Sequence, residues 1–442
     1  MKTEGIAKEF DFKELLQFSF PSIIMMIFMS LYTIVDGFFV SRFVGPEALS
    51  AVNIVYPSQS AILAVCIMFS TGGSAIVALQ MGEGKPKLAK QNYTFLVCVT
   101  LFIVLLISVF SLVNMESVVR FLGASGALIP LSKTYLSILI VFAPVSALQI
   151  LFQNFFVTAG RPNLGLGLTV AGGLFNMIFD YVLIVPCGMG IAGAAYATAA
   201  SYCIPAVGGL WFFFHNKQGL SFTKPVCHWN VLWKSCINGS SEMVTNLSGS
   251  VTTFLFNILM MKYVGAEGVA AVTAVLYSQF LMTSLFLGFS IGVAPIISYH
   301  YGADNLSYLK KTIKRCAIFI GVVSCLVFGF AYISAPIISA VFFHTGSLVH
   351  EMAAHGLRIF SVAFLFAGVN IFGSALFTAL GNGKVSAIIS FSRTFLFTIV
   401  GILGMSYLWG VSGLWCAVPF AELITVFVVC YFIKEIRKIL RR

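Results

Sequence analysis

The sequence predicts an all-α integral membrane protein, with twelve transmembrane helices in two six-helix bundles related by a parallel pseudo-twofold repeat. Three observations predict it. Of 442 residues, 59% are apolar and only 9% charged, where soluble domains carry about 25% charged residues. The apolar residues fall into runs long enough to cross a bilayer, and the chain matches itself at an offset of 220 residues.

A helix needs about 20 apolar residues to span the hydrocarbon core. Runs bounded by charge, Gly or Pro cover 15–40, 50–80, 92–114, 132–158, 164–184, 191–214, 236–262, 270–299, 316–333, 355–380, 385–408 and 412–433. They are too long and too uniformly apolar for the alternating ten-residue segments of a closed barrel. No cleavable leader is expected, because Lys2, Lys8 and Lys13 are mixed with Glu4, Glu9, Asp11 and Glu14 ahead of the first run. With the N-terminus inside, the inner loops hold 20 Lys and Arg, the outer loops five (Arg42, Arg120, Lys133, Lys262, Arg358), and Arg393 lies within a span. That asymmetry puts both termini in the cytoplasm of a cell carrying the protein in its inner membrane.

The internal match is clearest where Val44-Gly45-Pro46-Glu47-Ala48-Leu49-Ser50-Ala51-Val52 meets Val264-Gly265-Ala266-Glu267-Gly268-Val269-Ala270-Ala271-Val272. Gly72, Gly82, Thr158, Gly190 and Gly193 find Gly292, Gly302, Thr378, Gly410 and Gly413 at the same offset. Six spans per copy is an even number, so both copies start on the same face and the repeat is parallel. The expected organisation is an N-lobe over 1–215, a cytoplasmic linker over 216–235 containing Lys217, Lys224 and His228, and a C-lobe over 236–442. Two such lobes suggest a cavity between them that opens alternately to either side.

An ionisable group within a span costs about 2.5–3.5 kcal/mol on insertion scales, so each one calls for a reason. The set is Asp36, Asp180, Glu242, Arg393 and Glu422. Asp36 in span 1 and Asp180 in span 5 both fall in the outer half, at the depth reached by Tyr135 of span 4 and Thr198 of span 6. Asn176 precedes Asp180 by one helical turn and shares its face. Carboxylates with an amide and a hydroxyl offer hard oxygen ligands for Na⁺ at Asp36, Asn176, Asp180 and Thr198, and two crowded carboxylates also take up a proton. The alternative is that Asp36 terminates span 1 at the headgroup level and that Asp180 only accepts hydrogen bonds from its neighbours. The 220-offset partners of Asp36, Asn176 and Asp180 are Phe256, Leu396 and Val400, so the acidic set belongs to the first half alone. Arg393 and Glu422 are expected to pair, and Glu242 is close enough to the inner end of span 7 to snorkel. Pro21 removes a backbone donor early in span 1 and marks a place where that helix can bend.

Other features point away from chemistry. The +11 net charge is scattered over loops rather than gathered into a nucleic-acid surface. Ten Cys form no Cys-x-x-Cys and sit mostly in apolar runs. Gly188-Met189-Gly190-Ile191-Ala192-Gly193 fits a dinucleotide fingerprint but joins two spans with no strand before it, which reads as a turn. His344, His350 and His355 lack ligand spacing and are expected at the surface.

Val35-Asp36-Gly37-Phe38-Phe39-Val40, Gly45-Pro46-Glu47-Ala48-Leu49, Ser70-Thr71-Gly72-Gly73-Ser74 before Gly82-Glu83-Gly84-Lys85, and Asn176-Met177-Ile178-Phe179-Asp180 with Gly190-Ile191-Ala192-Gly193-Ala194-Ala195 resemble the multidrug and toxic compound extrusion (MATE) family of the MOP superfamily, nearest its DinF- and MepA-like members. The likeness covers the whole chain. It implies a V-shaped pair of bundles exporting organic cations or amphipathic drugs in exchange for H⁺ or Na⁺. It also implies a first-lobe cation site on Asp36, Asn176, Asp180 and Thr198 with Tyr135 beside it, and bending at Pro21. The NorM branch has further carboxylates in the second lobe. This chain has the amides Asn257 and Asn370 there, with Glu242 as its acid, so Glu242 and Asn370 are a secondary set.

The expectation is therefore a monomeric, ion-coupled exporter rather than an enzyme, with H⁺ or Na⁺ as coupling ion, no other cofactor or metal, and lipid and small amphipathic molecules as its partners. A lipid-linked precursor flippase of the same superfamily would be expected to need a cationic cavity, and a membrane-embedded transferase a polar cluster at one membrane face. Neither feature is evident in the sequence.

Overall fold

In lipid every backbone N–H and C=O must be satisfied within the protein, which leaves helices as the solution for long apolar runs such as these. A computed structural model describes residues 5–126, 128–216 and 219–439. Lys2, Glu4, Lys217, Arg441 and Arg442, which contribute to the loop charges, lie outside the described residues. The first half comprises α1 (Phe12–Phe39), α2 (Pro46–Gly82), α3 (Pro86–Val113), the short α4 (Met115–Phe121), α5 (Leu128–Val141), α6 (Ala143–Thr158), α7 (Pro162–Ile184) and α8 (Gly190–His215). The second comprises α9 (Trp229–Tyr263), α10 (Ala266–Gly302), α11 (Leu306–Phe342), α12 (Leu348–Ser361), α13 (Phe364–Ala379), α14 (Gly383–Phe391) and α15 (Thr398–Ile439). Single π-helical turns, Val40–Val44 and Ser392–Phe397, follow α1 and precede α15.

Twelve spans follow from these helices. α5 with α6 and α12 with α13 each form one span, bent by 54° and 52°. The apolar stretch Gly383–Lys434 would be about 78 Å long if straight, at 1.5 Å per residue. Gly410 (φ 57°, ψ −129°) divides it in two. A Cβ at Gly413 would strike the carbonyl of Met405, so the two arms reverse closely there. α9 begins at Trp229 rather than at 236, because Trp229, Val231, Leu232 and Trp233 extend the apolar pattern into the segment expected to be linker.

The duplication is visible in the backbone. Left-handed φ values recur at the 220 offset: Gly45 and Gly265 (117°, 93°), Gly84 and Asp304 (72°, 55°), Gly126 and Gly346 (55°, 84°), Gly190 and Gly410 (55°, 57°). Asp304, the one non-glycine in this conformation among the described residues, is thus the copy of Gly84. Helix starts use different chemistry in the two copies. α2, α3 and α7 open with Pro46, Pro86 and Pro162, whose missing N–H is one a helix start leaves unpaired anyway. α11 and α14 are instead capped by Asn305 and Asn382, whose side chains accept from Tyr308 N and Val385 N.

Phe286, Phe289, Phe360, Phe364, Phe377 and Trp415 anchor the core of the second lobe. The first lobe has two clusters, one around Tyr135, Leu136 and Ile140, the other around Tyr93, Phe152, Phe155 and Phe213. Between lobes, α1 packs on α10, and α2 packs on α9 and α10. Lipid gives little apolar driving force for such contacts, so close backbone approach has to supply dispersion contacts. Gly72 lies against Ser235 and Gly239, Gly292 against Ser19, Gly82 against Tyr299 and Gly302 against Leu79, pairs that the 220 offset interchanges. All lie toward the end of the molecule where the chain begins. Farther along, Ser60 donates to Asn246 Oδ1 across the seam at 3.0 Å, while Tyr56 and Tyr277 are exposed. The lobes are therefore closed against each other at the terminus-bearing end.

Candidate cation site

Four helices of the first lobe deliver the site. α1 and α7 meet closely because Gly173 leaves room for the rings of Phe28 and Tyr32. α7 and α8 meet at Gly172, whose Cβ position faces the Ser201 carbonyl. Asp36 near the end of α1 and Asp180 near the end of α7 are thereby brought within hydrogen-bonding reach of each other. Asp180 is fully buried, Asn176 and Tyr135 nearly so, and Asp36 and Thr198 are half-buried. Asn176 Nδ2 points to Thr198 Oγ1 at 3.5 Å, and Tyr135 is close enough to feel the charge of both acids.

The decisive feature is what the carboxyls lack. Asp180 Oδ1, Asp180 Oδ2 and Asp36 Oδ1 are buried and receive no hydrogen bond from the described residues. Two acceptor-only groups form a hydrogen bond only when one carries a proton; ionised together, they repel in a medium that screens poorly. A proton or a bound cation relieves that repulsion, and the hard oxygens of Asp36, Asp180, Asn176 and Thr198 suit an alkali cation.

The structure thus gathers Asp36, Asn176, Asp180, Thr198 and Tyr135. Tyr32 and Tyr202, which sequence reasoning missed, also reach the charge of Asp36. The signal was present: Tyr32 precedes Asp36 by four residues and Tyr202 follows Thr198 by four, the spacing of one helical face. Pro21 is not in this group. It lies about 22 Å before Asp36 along α1, buried where neighbouring Ser22 and Ile23 contact Gly288 of α10. α1 continues through it as unbroken helix.

Glu242 and Asn370 belong to a separate network in the second lobe. Arg393, on the π-helical turn, donates to Glu422 from Nε at 2.8 and 3.0 Å and lies 2.8 Å from it through Nη2. Asn370 Nδ2 donates to the Glu422 carboxylate at 2.7 Å and to its carbonyl at 2.8 Å. The expected Arg393–Glu422 pair is present, with both side chains largely buried. Glu242 accepts from the Ser241 hydroxyl and lies within the field of Arg393. From Ser241 a chain of hydroxyls runs through Thr378, Ser386, Ser374 and Ser390, with successive contacts of 3.4, 2.8, 2.8 and 2.8 Å. Elsewhere, His344 and His355 are exposed as expected but His350 is buried, because its helix turns it inward beside Ser339. Among the described residues no three His, Cys, Asp or Glu converge as a metal site.

A duplicated, twelve-span, two-lobed bundle with an intramembrane acidic pair defines the class of membrane transport proteins built from parallel repeats. The MatE family model matches residues 21–182 and 243–403, one segment in each half, and the chain belongs to the MatE family, that of the MATE transporters. It is 23% identical over 435 residues to the multidrug export protein MepA of Staphylococcus haemolyticus (strain JCSC1435), covering 96% of this chain and 94% of that one. Among solved structures, a MATE transporter crystallised in complex with MaL6 superposes with a TM-score of 0.93 at 22% identity, covering 100% of both chains. An outward-facing multidrug resistance MATE transporter of the MOP superfamily superposes with a TM-score of 0.90 at 22% identity, covering 98% of both.

Proposed function

We propose that this protein is a secondary active multidrug exporter that antiports organic cations or amphipathic drugs against H⁺ or Na⁺, with the coupling ion bound in the first lobe. The observation that carries the reading is the Asp36–Asp180 pair, in which both Asp180 oxygens and Asp36 Oδ1 are buried and receive no hydrogen bond from the described residues. In this reading Asn176 and Thr198 complete the ion's shell and Tyr135 borders it, while Pro21 is the point at which α1 bends against α10. The lobes are residues 1–215 and 236–442, joined by the linker 216–235, whose last part from Trp229 is already the start of α9. The excess of Lys and Arg on loops at the terminus-bearing end supports cytoplasmic termini in a cell-membrane protein. On that orientation the closed end faces inward and the conformation is outward-facing. Glu242, in the field of the Arg393 that pairs with Glu422, is a secondary acid, with Asn370 holding Glu422, and the working unit is a monomer.

Coupling follows from linkage. If the ion and the drug favour different shapes of the first lobe, each weakens the other's binding by the same factor. A flippase reading fares worse, because the guanidinium of Arg393 is already engaged by Glu422 rather than free for a pyrophosphate.

The test is dye efflux from proteoliposomes under an imposed pH gradient and, separately, a sodium gradient. One gradient should drive efflux, and Asp36→Asn and Asp180→Asn should abolish it while leaving insertion intact. Full gradient-driven efflux by either variant would overturn the assignment.

A further inference from the structure

A groove of about 570 Å³ runs along the flank of the molecule at the seam between lobes. Met68 of α2 forms one wall, and the other walls include Trp233, Ile237 and Met243 of α9 and Lys384 and Ala387 of α14. We propose that this groove is a binding site for one anionic phospholipid, whose phosphate meets Lys384 and whose acyl chain lies between α2, α9 and α14.

Three observations carry it. The first is depth. α9 starts at Trp229 and α14 at Gly383, so Trp233 and Lys384 lie near the helix ends at headgroup level, and Met243 lies deeper. Trp229 and Trp233 are exposed, one turn apart on one face of α9, as expected for indoles at a membrane interface. The second is the lining. The deeper walls are almost wholly apolar, and a groove of this kind open to the bilayer is filled by hydrocarbon rather than water. The third is charge. Lys384 is exposed and makes no ion pair or hydrogen bond among the described residues, which favours an anionic headgroup and opposes a cationic drug.

The groove has a mechanical consequence. Its α2 wall, Met68, belongs to the residue whose carbonyl Gly239 of α9 packs against. A lipid seated there touches both lobes beside their closest approach. Separating α2 from α9 would dismantle the site, so lipid binding stabilises the state closed at the terminus-bearing end. None of this depends on the exporter reading.

Native mass spectrometry of the full chain, released from nanodiscs of mixed palmitoyl-oleoyl phosphatidylglycerol and phosphatidylcholine, tests it. One phosphatidylglycerol should be retained in preference to phosphatidylcholine. Lys384→Gln should reduce that preference at least five-fold, and Ala387→Trp, which fills the groove, should lower retention of both lipids. Should Ala387→Trp fail to insert, quenching of Trp233 by brominated phosphatidylglycerol replaces it, with Trp233→Phe identifying the signal and Lys384→Gln weakening the quench. Equal retention and quenching in wild type and Lys384→Gln would overturn the proposal. So would displacement of the bound species by inorganic phosphate alone, which would identify a headgroup-sized anion site with no role for the acyl groove.

Discussion

The two lobes share a backbone plan and differ in how they treat charge. In the first, Asp36 and Asp180 face each other with no ion pair to a basic side chain among the described residues, and both Asp180 oxygens and Asp36 Oδ1 are buried without a donor. In the second, Glu422 has an arginine on it and an amide behind it. Glu422 occupies the 220-offset counterpart of Tyr202, and the buried ion pair is satisfied without outside help. The difference teaches where exchange with the surroundings is needed. A charge group completed by its own neighbours holds helices together, whereas the one left incomplete is where the proposed coupling ion would sit.

Four tests break or sharpen that contrast. Glu422→Gln should cost the most stability, about 3–5 kcal/mol, because it leaves Arg393 buried and uncompensated. Replacing both partners, Arg393→Met with Glu422→Leu, should restore most of that loss, as read by the detergent-solubilised unfolding midpoint. If the single and double variants melt together, the second-lobe pair is not acting as a unit. Next comes Asp180→Asn, expected to leave the unfolding midpoint near wild type or higher while ion-driven efflux drops by roughly 100-fold, the scale of a lost charged contact of ~3 kcal/mol. An unfolding loss to match Glu422→Gln would erase the distinction between the lobes.

Gly72→Ala tests whether the seam needs backbone-level approach, since the added methyl meets Ser235 and Gly239. A cost of about 1–3 kcal/mol is typical of such overpacking. Spin-label distances between α2 and α9 at the terminus-bearing end should lengthen, and Gly292→Ala should do the same between α10 and α1. The smallest effect is expected from Tyr202→Phe, which keeps the ring and removes a hydroxyl near Asp36. Loss of one such group corresponds to about 0.5–1.5 kcal/mol, or two- to ten-fold in apparent ion affinity measured by the gradient needed for half-maximal efflux. No change would place Tyr202 outside the ion's environment.

Much of this site is legible in the chain because lipid makes charge conspicuous. Asp36 and Asp180 stand out in apolar runs, and counting residues from the span ends puts them at one depth. Asn176 and Thr198 follow from helical spacing and depth. Tyr32 and Tyr202 do not stand out, since the chain is 14% aromatic and an aromatic in a span is ordinary. The hydroxyl chain from Ser241 to Ser390 was likewise hidden, because Ser and Thr in spans commonly bond their own helix, as Thr245 and Ser248 do here.

The sequence by itself determined the solvent, the number of spans, the duplication and the residues that cannot be in lipid without a reason. These are properties of composition and period, which burial in hydrocarbon enforces residue by residue. The tertiary structure decided which of those residues meet. That Asp36 finds another acid while Glu422 finds Arg393 depends on how closely helices approach, set by glycines such as Gly173 and by the extra turn of π-helix that carries Arg393. Side-chain partners across helices are fixed by three-dimensional packing, and no local period encodes it.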